Sequence, residues 1–284
     1  MLTLGVDCKP KLYRETFQHL RDLIYLKCGV SFSDNKIYLL ESRLSRRLEE
    51  KNLKTFEDYY YYLTYDPERE MEIRNLLSCV VTNETSFFRD PAQLESFSKG
   101  VVPKVLERKS RDGGRALRLW SAACSTGEEP YTLAMMLMNE NVNAKAAVEV
   151  IGSDISDNAL RSAERAVYDR YSVRNTPEEY LKRYFVEKGD GYEVRKNVRD
   201  AVRLRKINLI DPVETRAVKD ADVVFLRNVL IYFDDDSRKK AVGHVYDSLI
   251  KGGYLIVGFS ETLHSITRLF SPVRIENSLV YQKL

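Results

Sequence analysis

The chain has 284 residues, beyond the usual ~100–200 of one domain, and its 44% hydrophobic, 31% charged composition is that of a folded globular protein. Lys+Arg 45 against Asp+Glu 42 leaves a net charge of +3, which implies no bulk attraction for nucleic acid. No uncharged run nears the ~18–20 residues that span a bilayer, the opening MLTLGVDCKPKLYRE lacks a signal peptide's apolar core, and Cys8, Cys28, Cys79 and Cys124 form no CxxC pair. The expectation is a reduced cytoplasmic monomer with no membrane insertion, disulfide framework or metal site.

Up to about residue 110 the pattern is helical. In YRETFQHLRDLIYLKCG the apolar residues Phe17, Leu20, Leu23, Ile24 and Leu26 fall close to helical spacing, and Gly29 supplies a stop. Ser33, Asp34 and Asn35 offer caps for KIYLLESRLSRRLEEKN, where Leu40, Leu44 and Leu48 recur four apart. Thr55 can cap FEDYYYYLTY, Asp66-Pro67 precedes EREMEIRNLLSCVV, and Pro91 opens AQLESFSKGVVPKVLERKS.

After Arg111-Asp112-Gly113-Gly114, short apolar strands alternate with helices. ALRLWSA, AVEVIGSD, the start of ADVVFLRNVLIYF, and YLIVGFS after a Lys251-Gly252-Gly253 turn are strands. EPYTLAMMLMNEN, ISDNALRSAERAVY (capped by Ser156 or Asp157) and DDSRKKAVGHVYDSLI are helices. That rhythm predicts a parallel, doubly wound α/β sheet with a ligand crevice at the strands' C-terminal ends. One stretch, YFVEKGDGYEVRKNVRDAVRLRKINL, carries a Gly-Asp-Gly hairpin signal and reads as an antiparallel insertion over about 183–207.

The first strand runs into Ser121-Ala122-Ala123-Cys124-Ser125-Thr126-Gly127-Glu128-Glu129-Pro130. This loop is bare enough for its backbone to approach a ligand, yet it matches neither G-x-G-x-x-G nor a Walker sequence, so no phosphate cradle is indicated. Glu128 and Glu129 would repel phosphate and attract an ammonium or sulfonium group; equally, they are first-turn acids that favour the helix dipole. Asp154, ending the second strand, is placed to accept hydrogen bonds from ribose hydroxyls, or else caps the next helix. A cationic nucleoside without phosphates satisfies all three features. S-adenosylmethionine fits; NAD and ATP do not.

The segment Ser121–Tyr131, Asp154, and Arg227-Asn228-Val229-Leu230-Ile231-Tyr232-Phe233 resemble the chemotaxis receptor methyltransferases, the CheR family. Thr82-Asn83-Glu84-Thr85-Ser86-Phe87-Phe88-Arg89-Asp90 resembles that family's T-x-N-x-T-x-F-F-R segment, and the likeness covers nearly the whole chain. It implies a Rossmann-like α/β methyltransferase domain over 113–284 with the β-subdomain inserted. A helical receptor-recognition domain over 1–85 would precede it, with a linker helix over about 86–112. It also implies methyl transfer from S-adenosylmethionine to glutamate side chains of chemoreceptors, giving γ-methyl esters. Family cofactor residues map onto Asn83, Thr85, Arg89, Glu129, Asp154, Asn208, Leu209, Arg227 and Asn228, and the loop positions Ala123, Gly127, Glu128 and Ile155 complete the expected set. Of the adjacent acids, Glu129 is preferred for the cofactor contact. Arg89 and Tyr232 resemble the residues beside the transferring methyl group.

A glutamate carboxylate, with a reference pKa of about 4.3, is ionised at neutral pH, so the reaction needs no base. His19, His244 and His264 are read as bystanders. Amino-group methylation of nucleic acid is disfavoured because no Pro-Pro-aromatic turn follows Asn228; a cofactor-sensing module without catalysis would require a degraded site, and the motif positions are intact. Arg43, Arg46 and Arg47, at i, i+3 and i+4, put three guanidinium groups on one helical face, suited to glutamate-rich receptor helices, although such a face can also be a solvated one with internal Glu–Arg pairs. Some family members tether to a peptide at the receptor's C-terminus through a longer, glycine-rich hairpin loop. Here the tip, Glu187–Tyr192, is short and implies a tether-independent enzyme.

Overall fold

The computed structural model describes residues 10–113, 116–142 and 146–284. The chain divides into two compact units, one ending at Thr82 and one beginning at Asn83. Among the described residues, no helix is long and apolar enough to cross a membrane, and no cluster of potential metal ligands occurs. Cys28, Cys79 and Cys124 are free thiols; Cys8 lies outside the described residues.

The described residues of the first unit form four α-helices. Helix α1 (Arg14–Cys28) buries Phe17, Leu20 and Ile24 and stops at Gly29, whose φ of 74° is left-handed and whose amide returns to the Tyr25 carbonyl. A 3-10 turn at Asp34–Lys36 leads into α2 (Ile37–Lys51), which buries Leu40, Leu44 and Leu48. Thr55 caps α3 (Phe56–Tyr65) by accepting the Asp58 amide, and α4 (Arg69–Val80) follows, starting later than the Asp66-Pro67 signal suggests. In the tyrosine run, Tyr59 is buried and Tyr61 exposed, as helical rotation requires.

A polar knot lies inside this unit. The buried Glu72 carboxylate accepts Arg47 Nε at 2.8 Å, Arg47 Nη2 at 2.6 Å and the Tyr59 hydroxyl at 2.8 Å. Burial alone would raise the Glu72 carboxyl, but hydrogen bonds from Arg47, Tyr59 and Asn75 outweigh it and hold the group below its ordinary value.

The second unit opens with an extended segment and a continuous helical run: α5 (Pro91–Ser96), a π turn at Phe97–Val101, and α6 (Val102–Asp112). Pro103 has no amide to return to the Lys99 carbonyl, and the helix widens just before it. This run packs within the second unit, with Phe97 edge-on to Phe225 at 5.1 Å, and does not behave as a free-standing linker.

The elements β1 (Ala116–Ala122), α7 (Glu128–Asn139), β2 (Ala147–Asp154), α8 (Asp157–Arg165), β3 (Val167–Tyr168), α9 (Glu178–Tyr184), β4 (Phe185–Lys188) and β5 (Gly191–Val194) follow. After them come α10 (Lys196–Arg199), β6 (Val202–Lys206), α11 (Pro212–Thr215), β7 (Ala221–Leu226), α12 (Asp235–Ser248), β8 (Leu249–Val257), β9 (Phe270–Ile275) and β10 (Ser278–Lys283). The main sheet has the order β6-β2-β1-β7-β8-β10-β9, with β6 to β8 parallel and β10 antiparallel to both β8 and β9. Chain order reverses between β1 and β7, so the strands' C-terminal ends open a crevice there. This is the expected Rossmann-like α/β domain carrying a small antiparallel sheet.

Four details differ from the sequence reading. The sheet is mixed, because β9 and β10 close its far edge. Lys251-Gly252-Gly253 is not a turn before a strand but lies inside β8, opposite a register irregularity at Ala221/Val223. The helix expected through Tyr168 ends at Arg165, with Ala166 left-handed, and Val167–Tyr168 becomes a strand. The small sheet, in the order β3-β5-β4, gains that strand, while β6 leaves the 183–207 stretch to pair with β2. The apolar alternation of β6 is too short to distinguish the two sheets from sequence.

Candidate active site

The loop joining β1 to α7 turns sharply on left-handed residues: Ala123 (φ 61°), Ser125 (φ 51°) and Gly127 (φ 95°). The Cys124 amide donates to the Ser153 carbonyl at 2.7 Å and the Gly127 amide to the Cys124 carbonyl at 3.0 Å, which fixes the loop to β2. A Cβ on Gly127 would stand 2.7 Å from the Ala163 Cβ, so the turn excludes any side chain. Phe88 (φ 51°), Asp90 (φ 58°) and Asn228 (φ 57°) are also left-handed. Strained backbone thus gathers in segments 83–90, 123–127 and 227–228, as it does at sites where geometry is imposed by function.

Two carboxylates, Asp154 and Glu128, bond to this loop, and a third, Glu129, bonds to the end of β1 beside it. Asp154 is buried, and its two oxygens accept the Ser125 amide at 2.8 Å and the Ser156 amide at 2.9 Å. Burial raises its carboxyl above the ordinary value, with the Ser156, Ser125 and Ile155 amides opposing. Ser156, not Asp154, caps α8. The two oxygens offer about four acceptor sites, so these amides leave room for a ribose hydroxyl, and loop-holding and ligand binding are compatible. Glu129 Oε1 accepts the Ser121 hydroxyl at 2.6 Å. Glu128 is buried with Thr126 Oγ1 against both its oxygens, at 2.9 and 2.7 Å, and burial pushes its carboxyl up to about 7 against the opposing hydrogen bonds.

Arg227, at the end of β7, is held by protein through its side chain. Its side chain is only 3% exposed. Nε donates to Gln93 Oε1 at 2.9 Å, Nη1 to Glu129 Oε2 at 2.9 Å, and Nη2 to Asp90 Oδ2 at 2.5 Å and the Arg89 carbonyl at 3.1 Å. Four of the five guanidinium hydrogens are thereby committed to protein, so the side chain organises its neighbours. Gln93 in turn donates to the Val257 carbonyl at 2.8 Å.

Asn83 is exposed; its carbonyl and Oδ1 lie 3.2 and 3.4 Å from Ser125 Oγ, which ties the 83–90 segment to the loop. Thr85 and Arg89 are half-buried on the same segment, and Arg89 Nη1 donates to the Glu84 carbonyl at 3.1 Å. Asn208 donates its amide to Glu214 Oε2 at 2.6 Å, and His244 Nδ1 lies 2.9 Å from the Leu209 carbonyl. A carbonyl only accepts, so Nδ1 carries the proton, and this histidine braces the 208–209 loop. Ile155 and Asn228 are half-buried at the ends of β2 and β7, and Tyr232 closes a 3-10 turn at Leu230–Tyr232.

In the first unit, three guanidinium groups are not presented together. Arg47 is 11% exposed and bound inward to Glu72, and Arg43 donates to the Val80 carbonyl and to Thr82 Oγ1. Arg46 is 84% exposed, paired with Glu50. Helical spacing groups the three Cα atoms but does not say which side of that stripe is buried.

Sequence reasoning gave no role to Asp90, Gln93 or Glu261. Asp90 stood only at the end of the family segment, and neither Gln93 nor Glu261 belongs to a spacing pattern; only the fold brings them to Arg227 and Asn228.

Residues 83–279 match the CheR methyltransferase SAM-binding domain, and residues 15–80 match the CheR methyltransferase all-alpha domain. The chain belongs to the CheR methyltransferase family. It is 35% identical to chemotaxis protein methyltransferase 2 of Vibrio cholerae, over 94% of this chain and 92% of that protein. It is 32% identical to chemotaxis protein methyltransferase 1 of Pseudomonas aeruginosa, covering 94% and 97%, and 32% identical to the chemotaxis protein methyltransferase of Borreliella burgdorferi, covering 88% and 89%. As a CheR methyltransferase, this chain is an S-adenosylmethionine-dependent enzyme of chemotaxis. The bare left-handed loop, with Asp154 bonded to it and Glu129 beside it, is compatible with that cofactor.

Proposed function

We propose that this CheR enzyme methylates glutamate side chains on the cytoplasmic helical region of chemoreceptors, giving γ-methyl esters and S-adenosylhomocysteine. The observation that carries the reading is the loop between β1 and α7, bolted to Asp154 through the Ser125 amide, with Glu129 bonded to Ser121 at the end of β1 beside it. S-adenosylmethionine, when bound, supplies an electrophilic methyl group on a sulfonium sulfur. Asp154 accepts from the ribose, Glu129 attracts the cation, and Ala123, Gly127, Ile155, Asn208, Leu209 and Asn228 line the nucleoside's surroundings. Asn83, Thr85 and Arg89 close the cleft from the preceding segment.

The acceptor carboxylate is already an anion, so the protein's task is alignment, which can supply roughly 7–11 kcal/mol. Arg89 can orient that carboxylate by a charge-assisted hydrogen bond, and the Tyr232 hydroxyl can hold it from the other side. Too tight a grip would blunt its nucleophilicity, so both act by positioning. Arg46, exposed on α2, provides the cationic contact for an acidic receptor helix. Incubation with methyl-tritiated cofactor and receptor fragments tests the reading. Base-labile label on glutamate supports it; base-stable label or binding without transfer overturns it.

A further inference from the structure

Phe259 is 88% exposed, an unusual place for a large apolar ring. It follows β8, and the parallel register Leu226↔Val257 puts Phe259 level with Asn228, each two residues beyond its strand. The ring stands on a tight turn in which the Glu261 amide donates to the Gly258 carbonyl at 2.9 Å. Glu261 Oε2 accepts both the Gly258 amide and the Asn228 amide at 2.8 Å, so one carboxylate fastens the turn to the site loop. Gly258 is packed so closely that a Cβ there would lie 2.6 Å from Glu261 Oε2. Downstream, the Leu263 amide donates to the Tyr281 hydroxyl of β10 at 3.2 Å. The exposed ring therefore sits on a braced support beside the candidate active site.

We propose that Phe259 is a substrate-docking residue that receives an apolar side chain of the receptor helix one turn away from the acceptor glutamate. The proposal rests on the glutamate-methylation reading above. Neighbouring strands are ~4.8 Å apart and one helical turn rises ~5.4 Å, so a helix that delivers a carboxylate at the Asn228 loop brings its i±3 or i±4 residue over the adjacent turn. A rigid aromatic gains contact there with little loss of side-chain freedom.

The test measures initial rates against a cytoplasmic chemoreceptor fragment, with S-adenosylhomocysteine affinity followed by calorimetry. Phe259→Ser is expected to raise KM for the fragment roughly tenfold, keeping kcat within about twofold and cofactor-product affinity unchanged, with Phe259→Leu restoring most of the loss. An unchanged KM, or a parallel loss of S-adenosylhomocysteine affinity, overturns the assignment. Wild-type enzyme that modifies no glutamate in the fragment overturns the functional reading itself, which separates the two failures.

Discussion

Arg227 and Glu129 meet in a 2.9 Å ion pair between Nη1 and Oε2, at the junction of β7 with α7. The same guanidinium holds Asp90, Gln93 and the Arg89 carbonyl, so a single buried cation sets the position of three chain segments. The carboxylate expected to attract the cofactor is thus aimed by a residue that need not touch it.

Arg227→Lys is expected to lower S-adenosylhomocysteine affinity at least about tenfold, because an ammonium cannot span four planar contacts. Arg227→Ala, which strands two carboxylates, should destabilise the second unit by about 3–5 kcal/mol. Calorimetry and thermal denaturation read the two effects separately.

Replacing Tyr232 by Phe, or Arg89 by Ala, should reduce kcat with receptor fragment by roughly 10- to 100-fold. Tyr232→Phe should leave S-adenosylhomocysteine affinity intact. Arg89→Ala should weaken it as well, since the proposed cofactor contacts include Arg89.

Glu128 gives a pH signature. Its carboxyl is raised to about 7 by burial, so the folded state holds a proton that the unfolded chain, near 4.5, has lost. The contribution is fully present below about pH 4.5 and is lost as pH rises through 7. Glu128→Gln should remove that slope, on the order of 3 kcal/mol, and become the more stable protein at pH 8. Denaturant unfolding at pH 5 to 8 compares the two.

The first unit behaves oppositely. The Glu72 carboxyl is depressed, so its stabilisation is present above the unfolded value and lost as pH falls through the folded one. Arg47→Ala should cost about 3–5 kcal/mol by leaving that buried charge alone, whereas Arg46→Ala should raise receptor KM and flatten its salt dependence without changing the melting temperature.

The short hairpin tip between β4 and β5 predicts no micromolar binding of a receptor C-terminal peptide, which calorimetric titration checks.

Much of this was legible because the informative signals are local. Small residues at Ala123 and Gly127, a strand ending in Asp154, and helix stops such as Gly29 follow from backbone sterics within a few residues. What stayed hidden depends on distant partners. The organising role of Arg227 was hidden because nothing near it in sequence reveals Gln93, 134 residues away, or Asp90, 137 away. Arg43, Arg46 and Arg47 share a stripe, yet Glu72 from another helix decides which guanidinium turns inward. Strands β9 and β10 carry the same weakness, since neither holds an apolar run long enough to stand out from loop.

Strand β10 lies between β8 and β9 although it is made after both. As the polypeptide leaves the ribosome, β8 therefore waits with an open hydrogen-bonding edge until residues 278–283 emerge to fill it. Completion of the sheet, and of the Tyr281 brace on the turn bearing Phe259, thus waits on β10, and chains interrupted before residue 278 would be prone to pair with one another along β8.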